Sequence, residues 1–446
     1  MVIKREKKDK VKLGIVGLGR RGWGMLYYVI LDMVHENGDI EIVAICDKRQ
    51  KAIDKALEAF EEKNVPTPIV TYDYMDLVNN PDIDAILFFN SWTGRPEMAI
   101  KSMEAGKYTG IEVGCAFDLS ECYALIDAYE RTGSPLMMLE NCCYGRREMM
   151  ALNVAEQGKF GEIVHCVGGY HHYLPDCDLF KDVENDQVEH YRIHQYIARN
   201  LHNYPTHDFG PIAKVLKINR GNRIISLNSI ASKSRALKDY AKRHIGEESH
   251  FSQIDYKQGD IVNTIITCAN GETVQLCLDT TLPRAYYSRN FTVRGTRGMY
   301  AEERKILYFD DMEADHSLDG EIKSNEKEMF ETYDHPLHKE YAALGEKGGH
   351  GGMDWLLIRA FVESVKAGTD TPIDAYDTVT WMAIGTISEI SIAKNGAPVE
   401  FPDFTRGKWI DREPIVDGRY CLDKVCVDES VKIFNNLPVK EDTPAE

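Results

Sequence analysis

Three glycines, Gly17, Gly19 and Gly22, interrupt the run KLGIVGLGRRGWG where it stops reading as a strand and starts reading as a helix. Glycine at this spacing lets a backbone approach a ligand closely, and the helix N-terminus behind it favours negative charge. A second strand-like run, IVAICD, ends in Asp47, 25 residues past Gly22 and near the place where a carboxylate accepts ribose hydroxyls. Loop, helix start and acid together predict a bound dinucleotide. The acid repels a 2′-phosphate, so NAD is expected rather than NADP, although Lys48 and Arg49 follow it directly.

Other residues could move protons. Tyr170 and His172, in GEIVHCVGGYHHYL, project to one face of a strand at period two. His207, in YPTHDFGP, can take or give a proton near neutral pH. Further groupings carry less chemistry. His190 and His194 in HYRIHQY stand one helical turn apart, but no HExxH, cysteine pair or aspartate string supports them, and no metal is expected. Nothing shows Cys142 and Cys143 to be activated. The segment GEKGGHGGMDW lacks the Gly-Lys-Ser/Thr of a phosphate loop and reads as a mobile site lid presenting His350.

The elements that must position these groups change character midway. Residues 9–145 alternate strand and helix, with strands at KLGIVGL, IEIVAICD, DAILFFN, YTGIEV and PLMMLEN, which predicts a parallel sheet covered on both faces. Within it, Asp118, Glu121 and Gly133 bracket a helix with a cap at each end. Residues 146–420 bring long β-type runs, one folding back at Asn270-Gly271, a strong hairpin signal. An α+β domain with a large, mostly antiparallel open sheet is expected there, with the helical runs MDWLLIRAFVESVKAG and YDTVTWMAIGTISEISIAKNG behind that sheet. Residues 421–446 read as a C-terminal extension ending in a polar, mobile tail. The fold class is therefore α/β, a Rossmann domain followed by an α+β domain.

Composition narrows the partners. The net charge of −18, without a basic block, argues against nucleic acid or an anionic membrane surface. No apolar run is long enough to span a bilayer. The charged start MVIKREKKDKVK holds no apolar leader, and the 11 scattered cysteines form no CxxC pair, so a reduced, cytoplasmic enzyme is expected.

A nucleotide domain followed by an antiparallel-sheet domain resembles the Gfo/Idh/MocA oxidoreductases. Most such relatives are sugar or polyol dehydrogenases with a Glu-Lys-Pro segment whose lysine shuttles the hydroxyl proton. Here that segment reads IEVG, with Glu112 kept and Val113 and Gly114 in place of Lys and Pro. The segments MMLENCCYGR, GEIVHCVGGYHHYL, YPTHDFGPIAKVLKINRG, LPRAYYSRNFTVRGT, HGGMDWL and FPDFTRGKW are similar to glycoside hydrolase family 109, described as NAD-dependent α-N-acetylgalactosaminidases.

That resemblance implies a glycosidase with tightly bound, recycled NAD. Hydride leaves sugar C3, the ketone acidifies C2–H, the aglycone is eliminated from C1, water adds, and the hydride returns. It implies Tyr170 and His207 as catalytic residues, with Tyr170 at the C2 proton and His207 near the C3 hydroxyl, or the reverse. Substrate contacts would be Glu140, Tyr170, Arg192, Tyr204 and Tyr287, which has Tyr286 beside it. Coenzyme contacts would be Gly17, Gly19, Arg20, Arg21, Gly22, Asp47, Trp92, Arg95, Glu112, Val113, Asn141, Tyr204 and His207. The family's Trp-x-Trp-His stretch is represented by NSWTGRP, which keeps Trp92 but has Gly94 and Arg95 at the other places. The expected partner is a small glycoside, in a homo-oligomer of two or more chains. The alternatives are an NAD-dependent sugar or polyol dehydrogenase, with Tyr170 or His207 replacing the lysine, and a non-catalytic NAD-bound sugar sensor.

Overall fold

The computed structural model describes residues 5–180, 190–314, 323–343, 345, 347–415 and 418–425. The first unit is a six-stranded parallel sheet in the order β3-β2-β1-β4-β5-β6, built from β1 (Val11–Val16), β2 (Ile40–Cys46), β3 (Ile69–Thr71), β4 (Ala85–Phe88), β5 (Tyr108–Glu112) and β6 (Leu136–Leu139). Strands β4, β5 and β6 are buried throughout, as helices on both faces require, and their side chains are mostly apolar. The edge strand β3 escaped the sequence reading because three residues are too few to show a period. The expected helix forms at Leu119–Thr132. Asp118 accepts the Glu121 amide at its start, and Gly133 takes a left-handed conformation at its end.

The second unit is an eight-stranded sheet in the order β13-β12-β11-β7-β10-β9-β8-β14. Its strands are β7 (Ile163–His171), β8 (Ile224–Ala231), β9 (Ile261–Cys268), β10 (Thr273–Asp279), β11 (Thr292–Gly295), β12 (Gly298–Ala301), β13 (Ile306–Phe309) and β14 (Val399–Glu400). All its pairings are antiparallel except β7 with β10. Burial alternates along β9 and β10, one face inward and one open, and the hairpin between them turns at Gly271 with φ of +98°.

The Pro205–Val215 helix packs on β7 unusually closely. A Cβ on Gly168 would collide with the Asp208 carbonyl, so only glycine there admits the helix backbone. That contact sets His207 beside Tyr170, at the end of the same strand.

The two C-terminal helices do not share one location. The Ala375–Ala393 helix lies against β8 and also reaches β6 and the Leu119–Thr132 helix, joining the units. The Met353–Ala367 helix corrects the expectation that both back the second sheet. It packs on β1, β6 and the Leu26–Ile30 turn, and Arg359 pairs with Asp39 (2.8 Å) of the first unit. Helical spacing shows that a face is buried, not which surface buries it.

Behind the Pro205–Val215 helix lies a buried ionic network. Lys214 Nζ pairs with Asp377 (2.7 Å) and Asp423 (2.8 Å), and Arg220 with Asp377 (2.8 Å), Asp374 (3.0 Å) and Asp423. Asp423 thus fastens the start of the C-terminal extension, while residues 426–446, where a polar tail is expected, lie outside the described residues. Removing one partner from such a network leaves charge buried without compensation. Asp377→Asn should therefore lower the unfolding free energy by about 3–5 kcal/mol in a denaturant melt; a loss below about 1 kcal/mol would show that the network is not structural.

No helix among the described residues is long and apolar enough to cross a membrane. The ten described cysteines are unpaired. Burial pushes the Cys142 and Cys143 thiols well above their usual value, which keeps them protonated.

Candidate active site

The site forms where the C-terminal ends of the first sheet's strands meet the C-terminal end of β7, an inner strand of the second sheet. This is where an open parallel sheet leaves a crevice for ligands. Gly17 has φ of +89°, and a Cβ there would lie 2.5 Å from the Asn90 amide nitrogen. A Cβ on Gly22 would strike the Gly17 carbonyl. Gly19 begins the helix without a side-chain cap, so the first-turn amides remain open for an anion. That helix continues, through a wide turn at Leu26–Ile30, to Asn37. Asp47 is aimed by the Leu18 amide (2.7 Å) and the Arg49 amide (2.9 Å). Burial alone would raise its carboxyl, but the Arg49 side chain and these amides outweigh it, so it stays ionised. Arg49 also pairs with this carboxylate (3.2 Å), so the base after the acid lies against it. These features fit a diphosphate against the glycines and a ribose on Asp47.

The remaining expected coenzyme contacts separate into two groups. Arg21 and Asn141 meet on Asp354, a residue the sequence pattern does not single out, and Glu112 joins them through Arg21. Arg21 binds Asp354 through both terminal nitrogens (2.8 Å each) and Glu112 through Nε (3.1 Å), and Asn141 donates to Asp354 (2.8 Å). His350 Nδ1 adds a contact at 2.7 Å, which places the expected lid histidine on the same carboxylate. Burial opposes ionisation of Asp354, but His350 and Arg21 outweigh it and hold the carboxyl well below its usual range.

Trp92, Arg95 and Val113 form the second group. Trp92 Nε1 (3.0 Å) and Arg95 Nη1 (2.9 Å) both donate to the Val113 carbonyl. Arg95 also donates to the Asn90 and Glu112 carbonyls, and burial lowers its pKa. Gly114 makes room for the indole, since a Cβ there would lie 2.6 Å from the Trp92 ring. Arg20 points elsewhere. It is exposed and reaches the second unit, donating to Asp178 (2.6 Å) and to the Cys177 carbonyl (2.5 Å).

Tyr170 and His207, the residues expected to move protons, lie together under an aromatic wall. Tyr170 stacks on Tyr204 at 4.5 Å between centroids, and His207 stands edge-on to both, at 5.4 and 4.8 Å. Tyr204 also approaches Trp92 (5.9 Å), which joins this wall to the Trp92–Arg95–Val113 group. Arg192 donates to Tyr204 Oη (3.0 Å) and pairs with Asp178 (3.3 Å), so Asp178 gathers an arginine from each unit. Tyr287, not Tyr286, turns to the cluster: its ring lies 5.2 Å from His172 and 6.3 Å from Tyr170, whereas Tyr286 lies over Arg284.

Glu140, expected among the sugar contacts, is fully buried. Its oxygens lie 2.7 and 2.9 Å from His207 Nδ1, and one also accepts the Cys142 amide (3.0 Å). Burial pushes its carboxyl up, but His207 and the amide outweigh that and hold it ionised. A carboxylate only accepts, so Nδ1 carries the hydrogen and Nε2 of a neutral ring keeps its lone pair free for the cleft. Glu140, Cys142 and His207 place three metal-ligand types within 4.8 Å of one another. The hydrogen-bonded pair and the protonated thiol account for that grouping as it stands. His190 caps the Tyr191–Ala198 helix by accepting the Arg192 amide, and His194 is exposed.

Comparison with known proteins decides the family. A family description reading "Glycosyl hydrolase 109, C-terminal domain" matches residues 144–411, more than half of the chain. The chain belongs to glycoside hydrolase family 109. This family 109 chain also matches "Oxidoreductase family, NAD-binding Rossmann fold" over residues 11–140, so both parts of the expected resemblance hold. It is 37% identical over 393 residues to the alpha-N-acetylgalactosaminidase of Tannerella forsythia, covering 84% of this chain and 83% of that one. It is 37% identical over 433 residues to a glycosyl hydrolase family 109 protein of Stenotrophomonas maltophilia, covering 92% of this chain and 93% of that one. Among solved structures, a levoglucosan dehydrogenase in complex with NADH and levoglucosan superposes with a TM-score of 0.66 at 20% identity, covering 88% of this chain and 100% of that one. An apo scyllo-inositol dehydrogenase from Lactobacillus casei gives 0.59 at 16%, covering 89% and 99%. These two likenesses show the family 109 chain to share their fold.

Proposed function

We propose that the protein is an NAD-dependent glycosidase that acts on an α-N-acetylgalactosaminide-like glycoside and keeps its coenzyme through turnover. When bound, the nicotinamide supplies hydride acceptance from sugar C3 and hydride return. The chain's own residues supply the rest. Gly17, Gly19 and Gly22 admit the diphosphate, and Asp47 takes the ribose hydroxyls. His207, aimed by Glu140, accepts and returns the proton of the C3 hydroxyl. Tyr170 removes the C2 hydrogen once C3 is a carbonyl, and later returns a proton to C2. Arg192, Tyr204 and Tyr287 hold the sugar, with polar tips on apolar walls.

One observation carries this reading. Two proton-transfer groups, Tyr170 and His207, stand 5.4 Å apart between ring centroids. The reaction needs transfers at two neighbouring carbons. A simple dehydrogenase needs only one, and the position beside Glu112 that supplies it in sugar dehydrogenases is here aliphatic Val113, with Gly114 filled over by Trp92.

The test is incubation with p-nitrophenyl α-N-acetylgalactosaminide and related glycosides, without added coenzyme. Nitrophenol should be released over many turnovers with no accumulation of reduced nicotinamide. Reduced nicotinamide formed in step with a keto-sugar would make the protein a dehydrogenase instead.

A further inference from the structure

We propose that His172 takes the phenol proton of Tyr170 as Tyr170 removes the C2 hydrogen, acting on the sugar only through Tyr170. This rests on the glycosidase reading and adds a second hydrogen-bonded pair to the site, Tyr170–His172, beside Glu140–His207. Tyr170 Oη lies 3.1 Å from His172 Nδ1, with the rings edge-on at 5.6 Å. The strand geometry holds this pair, because residues two apart on β7 and its continuation face the same side.

The direction of the hydrogen bond follows from the neighbours. The Arg192 guanidinium, held by Tyr204 Oη (3.0 Å) and Asp178 (3.3 Å), sets a positive charge beside the Tyr170 phenol, which favours release of the phenol hydrogen. The phenol hydrogen is thus left for His172 Nδ1 to accept. The Cys177 thiol donates to the Tyr173 carbonyl (3.1 Å), and its sulfur lies 3.8 Å from His172 Nε2. That sulfur offers a weak acceptor to an Nε2 hydrogen, which favours the tautomer with Nδ1 free.

Burial holds the His172 imidazolium below its usual value, so the resting ring is neutral and able to accept. Burial also pushes the Tyr170 phenol up, against the Arg192 charge. Neither shift favours a resting phenolate–imidazolium pair. The two transfers are therefore coupled: the C2 proton arrives on Oη as the phenol proton leaves for Nδ1. The C2–H electron pair moves toward the C3 carbonyl and then forms the C1–C2 double bond as the C1–O pair departs with the aglycone. When water adds, its hydroxyl goes to C1 and its proton to the aglycone. The entering water also exchanges the proton on Tyr170 Oη with solvent; His172 then returns its proton to Tyr170 as Tyr170 protonates C2, and both residues regain their starting state.

Three enzymes and two labelled substrates test this: wild type, His172→Phe and His172→Asn, with substrate deuterated at C2 or at C3. His172→Phe removes the acceptor and should slow turnover about 100-fold. It should raise the C2 isotope effect without raising that at C3, while the coenzyme content of the purified protein stays unchanged. His172→Asn, whose amide oxygen still accepts, should recover much of the rate. Turnover within about twofold of wild type in both variants overturns the proposal. So does a slow His172→Phe enzyme whose C2 isotope effect is unchanged, or an Asn variant no faster than Phe. If wild type itself shows no C2 isotope effect and retains the label, the glycosidase reading falls, and the proposal with it.

Discussion

His207→Ala should lose about 1000-fold in turnover while retaining its coenzyme. A positioned general acid–base contributes about 100- to 10000-fold, and the structure gives His207 what that role needs. Glu140 fixes Nδ1 from behind at 2.7 Å, so the ring presents Nε2 to the space beside Tyr170 and Tyr204. Glu140→Gln keeps the shape but removes the charge that stabilises the imidazolium. It should cost about 100-fold, and the double variant little more than His207→Ala alone, because the two residues act as a unit. Steady-state kinetics and coenzyme content on the same preparations give the answer. Additive losses would mean that Glu140 acts independently of His207, on the sugar or on the fold.

The second large effect is on coenzyme capture. Gly22→Ala should lower coenzyme affinity about 10- to 100-fold, because its Cβ meets the Gly17 carbonyl, a backbone atom that cannot swing aside. Overpacking of that kind costs about 1–3 kcal/mol, and each 1.4 kcal/mol is tenfold in affinity. The neighbouring glycines grade the prediction. A Cβ on Gly19 would approach only the flexible Arg49 side chain, at 3.3 Å, so Gly19→Ala should be milder. A Cβ on Gly24 meets nothing within 4 Å, so Gly24→Ala should bind coenzyme as wild type does. Titration calorimetry on coenzyme-stripped protein reads all three. Equal affinities across the series would mean that the loop does not cradle the diphosphate.

What the sequence made legible were features with local grammar. The glycine spacing, the acid after β2, the caps of the Leu119–Thr132 helix and the turn at Gly271 all come from residues close together in the chain, and the structure places each in the strand, helix or turn expected of it. Asp354 was missed because a first-turn acid looks ordinary in sequence. Its partners Arg21 and Asn141 lie 333 and 213 positions away. Asp178 was invisible for the same reason. The resemblance puts Glu140 among the sugar contacts; its complete burial and its pairing with His207, 67 positions away, are not legible in the sequence. The choice between Tyr286 and Tyr287 needed coordinates, since adjacent residues in a bend can face opposite ways. The docking of the Met353–Ala367 helix on the first unit likewise depends on a surface that its own pattern does not name.

The central claim is that a proton leaves C2 of the sugar while C3 is transiently a carbonyl. The direct measurement is turnover of an α-N-acetylgalactosaminide in deuterium oxide, with the released sugar analysed by mass spectrometry and proton NMR. The account expects deuterium at C2, hydrogen retained at C3, and no net reduced nicotinamide. Product sugar carrying only its original hydrogen at C2 would contradict it.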